Sequence, residues 1–71
     1  MAANPVRTKI AAEFETMKGF ELAARDFYRK ISSDVEFEDR SATDVLNNIA
    51  ADEERHAGIV QEIIDIVNNV L

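Results

Sequence analysis

The stretch IAADEERHAGIVQEIIDIV, from Ile49 to Val67, decides how the chain folds. Apolar residues recur in it at steps of three and four, the period of one face of an α-helix. Extended in both directions, the series reads Leu46, Ile49, Glu53, His56, Val60, Ile63, Val67 and Val70. Alternating steps of three and four make a heptad seam, the pattern of helices packed side by side at a shallow angle. Two seam positions hold polar groups, Glu53 and the chain's one histidine, His56.

The first half of the chain carries a matching seam: Ile10, Phe14, Met17, Glu21, Ala24, Tyr28 and Ile31. Its polar members are Glu21 and the Tyr28 hydroxyl. Asn4 suits a helix N-cap, and Pro5 suits the first helical position, where its missing N–H is no loss. Between the seams, SSDVEFEDR (Ser32 to Arg40) breaks the pattern with serines and mixed charges, and its acids Asp34, Glu36, Glu38 and Asp39 read as a solvated turn. Ser41 followed by Asp44 resembles a capping box with Asp in place of Glu. The expected layout is one all-α domain: a helix over about 5–32, a loop over 33–41 and a helix over 42–69. Each helix is then about 42 Å long, and the pair forms an antiparallel hairpin. Phe20 with Phe27, and Ala50, Ala57, Ile64 and Leu71, make a second apolar line beside each seam. Two helices cover one seam each, so these flanking lines call for another hairpin and a four-helix bundle.

Composition narrows the function. A chain of 71 residues has trouble closing a core alone, and with no cysteine it has neither disulfides nor thiolate metal sites. A metal or a partner chain remains. Fourteen acidic against eight basic residues give a net charge of −6 and a pI near 4.6. That balance argues against nucleic acid and anionic membranes and suits a protein that attracts cations. No apolar run is long enough to span a bilayer, and MAANPVRTKI lacks the apolar core of a signal peptide. The expected location is therefore the cytoplasm.

The polar seam residues fall at one level. Glu21 lies 11 residues before the expected end of the first helix, and Glu53 lies 11 after the expected start of the second. Glu53 and His56, three apart, share a helix face. No lysine or arginine lies on either seam, so a metal is the natural partner of the buried carboxylates. Two hairpins about a two-fold axis would supply four carboxylates and two imidazoles, matching two divalent cations. Oxygen and nitrogen donors suit iron, manganese or zinc, and carboxylate bridging favours a redox pair such as iron or manganese. Asp52, four residues before His56, is the rival ligand. Glu54 points about 100° from Glu53 and is expected in solvent. Glu13, Glu15, Glu62 and Asp65 either steer cations or simply form a charged outer face.

ELAARDFY (Glu21 to Tyr28) resembles the first helix of the ferritin-like di-iron family, and DEERH (Asp52 to His56) resembles its second. Among its members the chain is most similar to rubrerythrin-like proteins and the short encapsulated ferritins, over about residues 8–67. The resemblance implies Glu21, Glu53 and His56 as metal ligands with Glu53 bridging, and Tyr28 as a hydrogen-bond donor to a ligand carboxylate. It implies a homodimer or ring of dimers holding two iron ions per dimer, and a ferroxidase that serves iron storage or detoxification, with an encapsulin-type nanocompartment as a second location. Three features depart from the family: no rubredoxin-like cysteines, no shell-targeting tail, and a Leu71 that ends in mid-pattern, as a truncated chain would. The alternatives are a rubrerythrin-like peroxide scavenger and a non-catalytic helical dimerisation module whose polar layer sets register.

Overall fold

In a computed structural model of the chain, residues 4–35 and 39–70 are described. They form two helices, α1 (Pro5–Val35) and α2 (Arg40–Val70), of 31 residues each, paired antiparallel. The hairpin measures 57 × 14 × 11 Å, with a radius of gyration of 16.4 Å. A compact chain of this length has a radius near 11 Å. The molecule is thus a rod, with no interior beyond the strip where the helices meet. Among the described residues, no helix is long and apolar enough to cross a membrane.

Local chemistry sets the helix starts. The Asn4 side chain accepts from the backbone N–H groups of Val6 and Arg7, both at 3.1 Å, satisfying two donors that lack intrahelical partners. The start of α2 differs from expectation. Asp39, rather than Ser41, is the N-cap: its Oδ1 accepts from Ala42 N–H at 3.1 Å, and its carbonyl accepts from Thr43 N–H and the Thr43 hydroxyl, each at 3.1 Å. Ser41 is inside the helix. The end of α1 differs too. Ser32 and Ser33 continue the helix to Val35, because Ser32 faces α2, where it is 4% exposed and its hydroxyl donates to the Thr43 carbonyl at 3.5 Å. Asp34 lies within α1 and pairs with Lys30 at 3.3 Å. The expected loop residues 36–38, including Glu36 and Glu38, and Leu71 of the flanking line lie outside the described residues.

The contact stripe is rotated from the expected seam. On α2 the buried apolar residues are Ala50, Ala57 and Ile64, which sequence places on the flanking line, together with Val60 and Val67 of the seam. Glu53, seven residues before Val60 and 14 before Val67, stays on the stripe and is half-buried; Ile49 and Ile63 are half-buried at its edge, and Val70 is 75% exposed. The rotation exchanges the line of Ile49, His56, Ile63 and Val70 for that of Ala50, Ala57 and Ile64, so His56 rather than Glu53 turns outward, its side chain 51% exposed.

That rotation leaves two unlike sides. At 100° per residue, Met17, Phe20 and Phe27 of α1 and Val45, Ile59 and Ile66 of α2 fall on the same-handed side of their stripes. In an antiparallel pair those sides adjoin, so these exposed residues form one apolar face. The reverse side carries polar cross-links, Lys18 to Gln61 at 2.6 Å and Arg29 to Glu54 at 2.6 Å. The cap assignment makes a direct prediction. Asp39→Ala lowers stability by about 1 kcal/mol in thermal melts followed by helical circular dichroism, while Ser41→Ala changes it by less than about 0.5 kcal/mol. Equal effects would mean that Asp39 is not the cap.

Candidate metal centre

Helix geometry places Glu53 and His56 on one face of α2, and the antiparallel pairing brings Glu21 of α1 to their level. Glu21 lies 14 residues before the last residue of α1, and Glu53 lies 13 after the first of α2. One ligand atom from each of Glu21, Glu53 and His56 lies within 4.8 Å of the others. The Nδ1 of His56 is 3.7 Å from Oε2 of Glu21. Donors on one ion, each about 2.1 Å from it, sit roughly 3.0–3.5 Å apart. The cluster is therefore slightly wider than a closed site, by an amount that side-chain torsions absorb.

Two features mark the electrostatics of the cluster. Oε2 of Glu21 is buried and makes no hydrogen bond among the described residues, an unusual and costly state for a carboxylate oxygen. The Glu53 carboxyl is pushed above its ordinary range, first by a hydrogen bond shared with Glu21, then by lost hydration and by the Glu21 charge; His56 pulls it back, and Asp52 adds a small push upward. The Glu21 carboxylate thus disfavours the charged form of Glu53, while the His56 imidazole beside them offers a neutral nitrogen donor. A divalent ion would fill the orphaned acceptor and offset both charges. The donor set, oxygens and one nitrogen without sulfur, fits iron, manganese or zinc.

Access to the cluster is one-sided. The Glu21 side chain is 24% exposed, whereas that of His56 is 51% exposed and lies toward the apolar face. Three protein donors would leave part of an ion's coordination shell open in that direction.

The other residues singled out from sequence sort clearly. Asp52 pairs with Arg55 at 2.5 Å and stands outside the cluster. Glu15 pairs with Lys18 at 3.0 Å, and Asp65 accepts from the Gln61 amide at 2.9 Å. Tyr28 is half-buried, its ring edge-on to Phe27 with centroids 5.9 Å apart. Its hydroxyl has no hydrogen-bond partner among the described residues, so one chain does not bring it to a ligand carboxylate. Glu54 is not free in solvent. Its carboxylate meets Arg29 at 2.6 Å and Arg25 at 3.8 Å, across the helix pair. Sequence reasoning missed those two arginines because they lie off the seam and reach α2 only through long side chains.

A raised acid favours its protonated form in the fold. Glu53 therefore costs the metal-free protein stability at neutral pH, and that cost disappears as pH falls through its raised value toward the ordinary carboxylate range. In chelator-treated protein, melts at pH 7 and pH 5 should show the wild type gaining stability relative to Glu53→Gln on acidification. A constant difference, or one of opposite sign, would contradict the raised Glu53 carboxyl. No known protein family, characterised protein or solved structure matches the chain.

Proposed function

We propose that two copies of this hairpin pair through their apolar faces into a four-helix bundle of ferritin-like type and hold a di-iron centre that oxidises Fe(II). The observation behind the proposal is the meeting of Glu21, Glu53 and His56 within 4.8 Å, with one carboxylate oxygen buried and unpartnered. Support comes also from the exposed apolar face, which includes Phe20 at 72% and Phe27 at 59% exposure. Soluble monomers rarely carry so continuous an apolar surface. It adjoins the open side of the centre, so the partner that covers it would also complete the ligand shell.

Glu21, Glu53 and His56 of each copy would hold the ions, four carboxylates against two divalent cations. When bound, two ferrous ions supply one electron each to a two-electron oxidant such as dioxygen or peroxide, and become ferric. The chain's own contribution is to gather anionic oxygens that favour the ferric product. Glu53, whose carboxyl Glu21 pushes above its ordinary range, would bind a metal as the carboxylate. His56 adds a neutral nitrogen donor on the exposed side, and the apolar face excludes water once covered. A rod of this size has no interior for mineral, so storage of the product needs a surrounding shell.

Oxidation of Fe(II) under air, followed by near-ultraviolet ferric absorbance, tests the proposal. The wild type should oxidise stoichiometric iron at least about ten-fold faster than buffer. Glu21→Ala and His56→Ala should fall to the buffer rate while keeping their helical circular dichroism. Variants that oxidise iron as fast as the wild type would overturn the site. A wild type that neither binds nor oxidises iron would leave a polar layer that only sets helix register.

A further inference from the structure

The Glu21, Glu53 and His56 side chains can meet only while α1 and α2 keep one relative roll about their long axes. Ala50 at 1% and Ala57 at 5% exposure lie about one turn either side of Glu53 and offer little side-chain relief to fix that roll locally, the larger buried residues Val60, Ile64 and Val67 lying further along α2, and apolar attraction has no direction. Besides the cluster's own contacts, the directional links between the helices near this level lie on the reverse side. Glu54, the residue after Glu53, uses both of its oxygens: Oε2 takes Arg29 at 2.6 Å and Oε1 faces Arg25 at 3.8 Å. Arg25 stands one turn beyond Glu21 on α1. Lys18 binds Gln61 at 2.6 Å on the other side of the centre's level, and Gln61 is itself held by Asp65 at 2.9 Å. The two cross-links bracket the centre along the rod.

From this arrangement we infer that Glu54, with Arg29 and Arg25, is a positioning group for the metal centre: it ties the ligand-bearing turns together from behind and so holds Glu21 and Glu53 turned toward the open face. The inference rests on the metal-centre proposal above. It goes beyond it by giving a role in metal affinity to three charged residues that touch no metal. Charge-assisted hydrogen bonds suit this role because their geometry is narrow. Their exposure, 52% for both Arg29 and Glu54, keeps the direct contribution to stability small.

Positioning and plain electrostatics predict opposite signs for one substitution. Arg29→Gln removes a positive charge close to a cation site, and on charge alone that tightens metal binding. Loss of positioning weakens it. The test is Co²⁺ titration of the full chain, read by the visible absorption of bound cobalt, whose intensity per ion also reports the coordination geometry. We expect Arg29→Gln to bind Co²⁺ about five-fold more weakly, the scale of one exposed ion pair, with a changed absorption per ion and unchanged helical circular dichroism. Arg29→Lys, which can still offer the single donor that Arg29 uses, should recover most of the affinity. Lys30→Gln, which removes an equal charge from a pair within α1, should not weaken binding. Equal or tighter binding by Arg29→Gln, with the wild-type spectrum, would overturn the inference and leave the metal centre standing. A wild type that takes up no cobalt would overturn the centre itself, and the positioning role with it.

Discussion

Two carboxylates held side by side, Glu21 on α1 and Glu53 on α2, are the constraint around which this hairpin is arranged. Glu21 presents an oxygen that is buried and unbonded, and Glu53 is driven toward its protonated form by the same neighbour. Neither arrangement helps a bare helix pair. Lysine or arginine on the seam would have neutralised the layer, and the chain places Arg25 and Arg29 on the reverse side instead. The contact stripe, rotated onto Ala50 and Ala57, keeps Glu53 on the line of Val60 and Val67 and turns His56 toward solvent. In the proposed metal centre, a divalent cation would meet a preformed but repulsive cluster and offset its charges.

The same rotation gives the hairpin unlike sides, and each has a distinct consequence. The apolar side leaves Met17, Phe20, Phe27, Ile59 and Ile66 uncovered, which a rod 11 Å thick has no means of burying alone. The polar side carries Arg25, Arg29 and Lys18 across to Glu54 and Gln61. One side thus presents the surface proposed to receive a second copy, while the other carries the cross-links proposed to position the centre. His56 links the two, since it belongs to the cluster yet lies half in the open on the apolar side. A second hairpin seated there would shield the centre from water and raise the strength of every electrostatic contact inside it.

Much of this was legible in the sequence, and the exceptions have physical reasons. Helix number, antiparallel pairing and the Asn4 cap follow from short-range chemistry and heptad spacing. The level of Glu21 with Glu53 survived errors in both helix boundaries, because α1 ends three residues later and α2 starts two residues earlier than expected; the shifts offset one another about the turn. Ser32 read as a helix breaker, and only its burial against α2 explains why the helix runs through it. Asp39 displaced Ser41 as the cap because a side chain two residues earlier already satisfies the Ala42 amide. The stripe's rotation was hidden because heptad spacing gives the period of contact but not which of two adjacent apolar lines lies deeper. Packing against α1, which buries Ala50 and Ala57, decides that, a tertiary effect. The arginine cross-links were hidden for a similar reason: their partners are distant in sequence and set by side-chain reach.

The central claim is that one hairpin holds half of a metal centre and a second copy supplies the rest. Sedimentation velocity of the chelator-treated chain during anaerobic Fe²⁺ titration tests it most directly. The account predicts that the sedimenting mass shifts toward the dimer as iron binds, saturating near one iron per chain, and that Glu21→Ala abolishes the iron-dependent shift. A mass indifferent to iron, or one iron bound per chain by a species that stays monomeric, would contradict it.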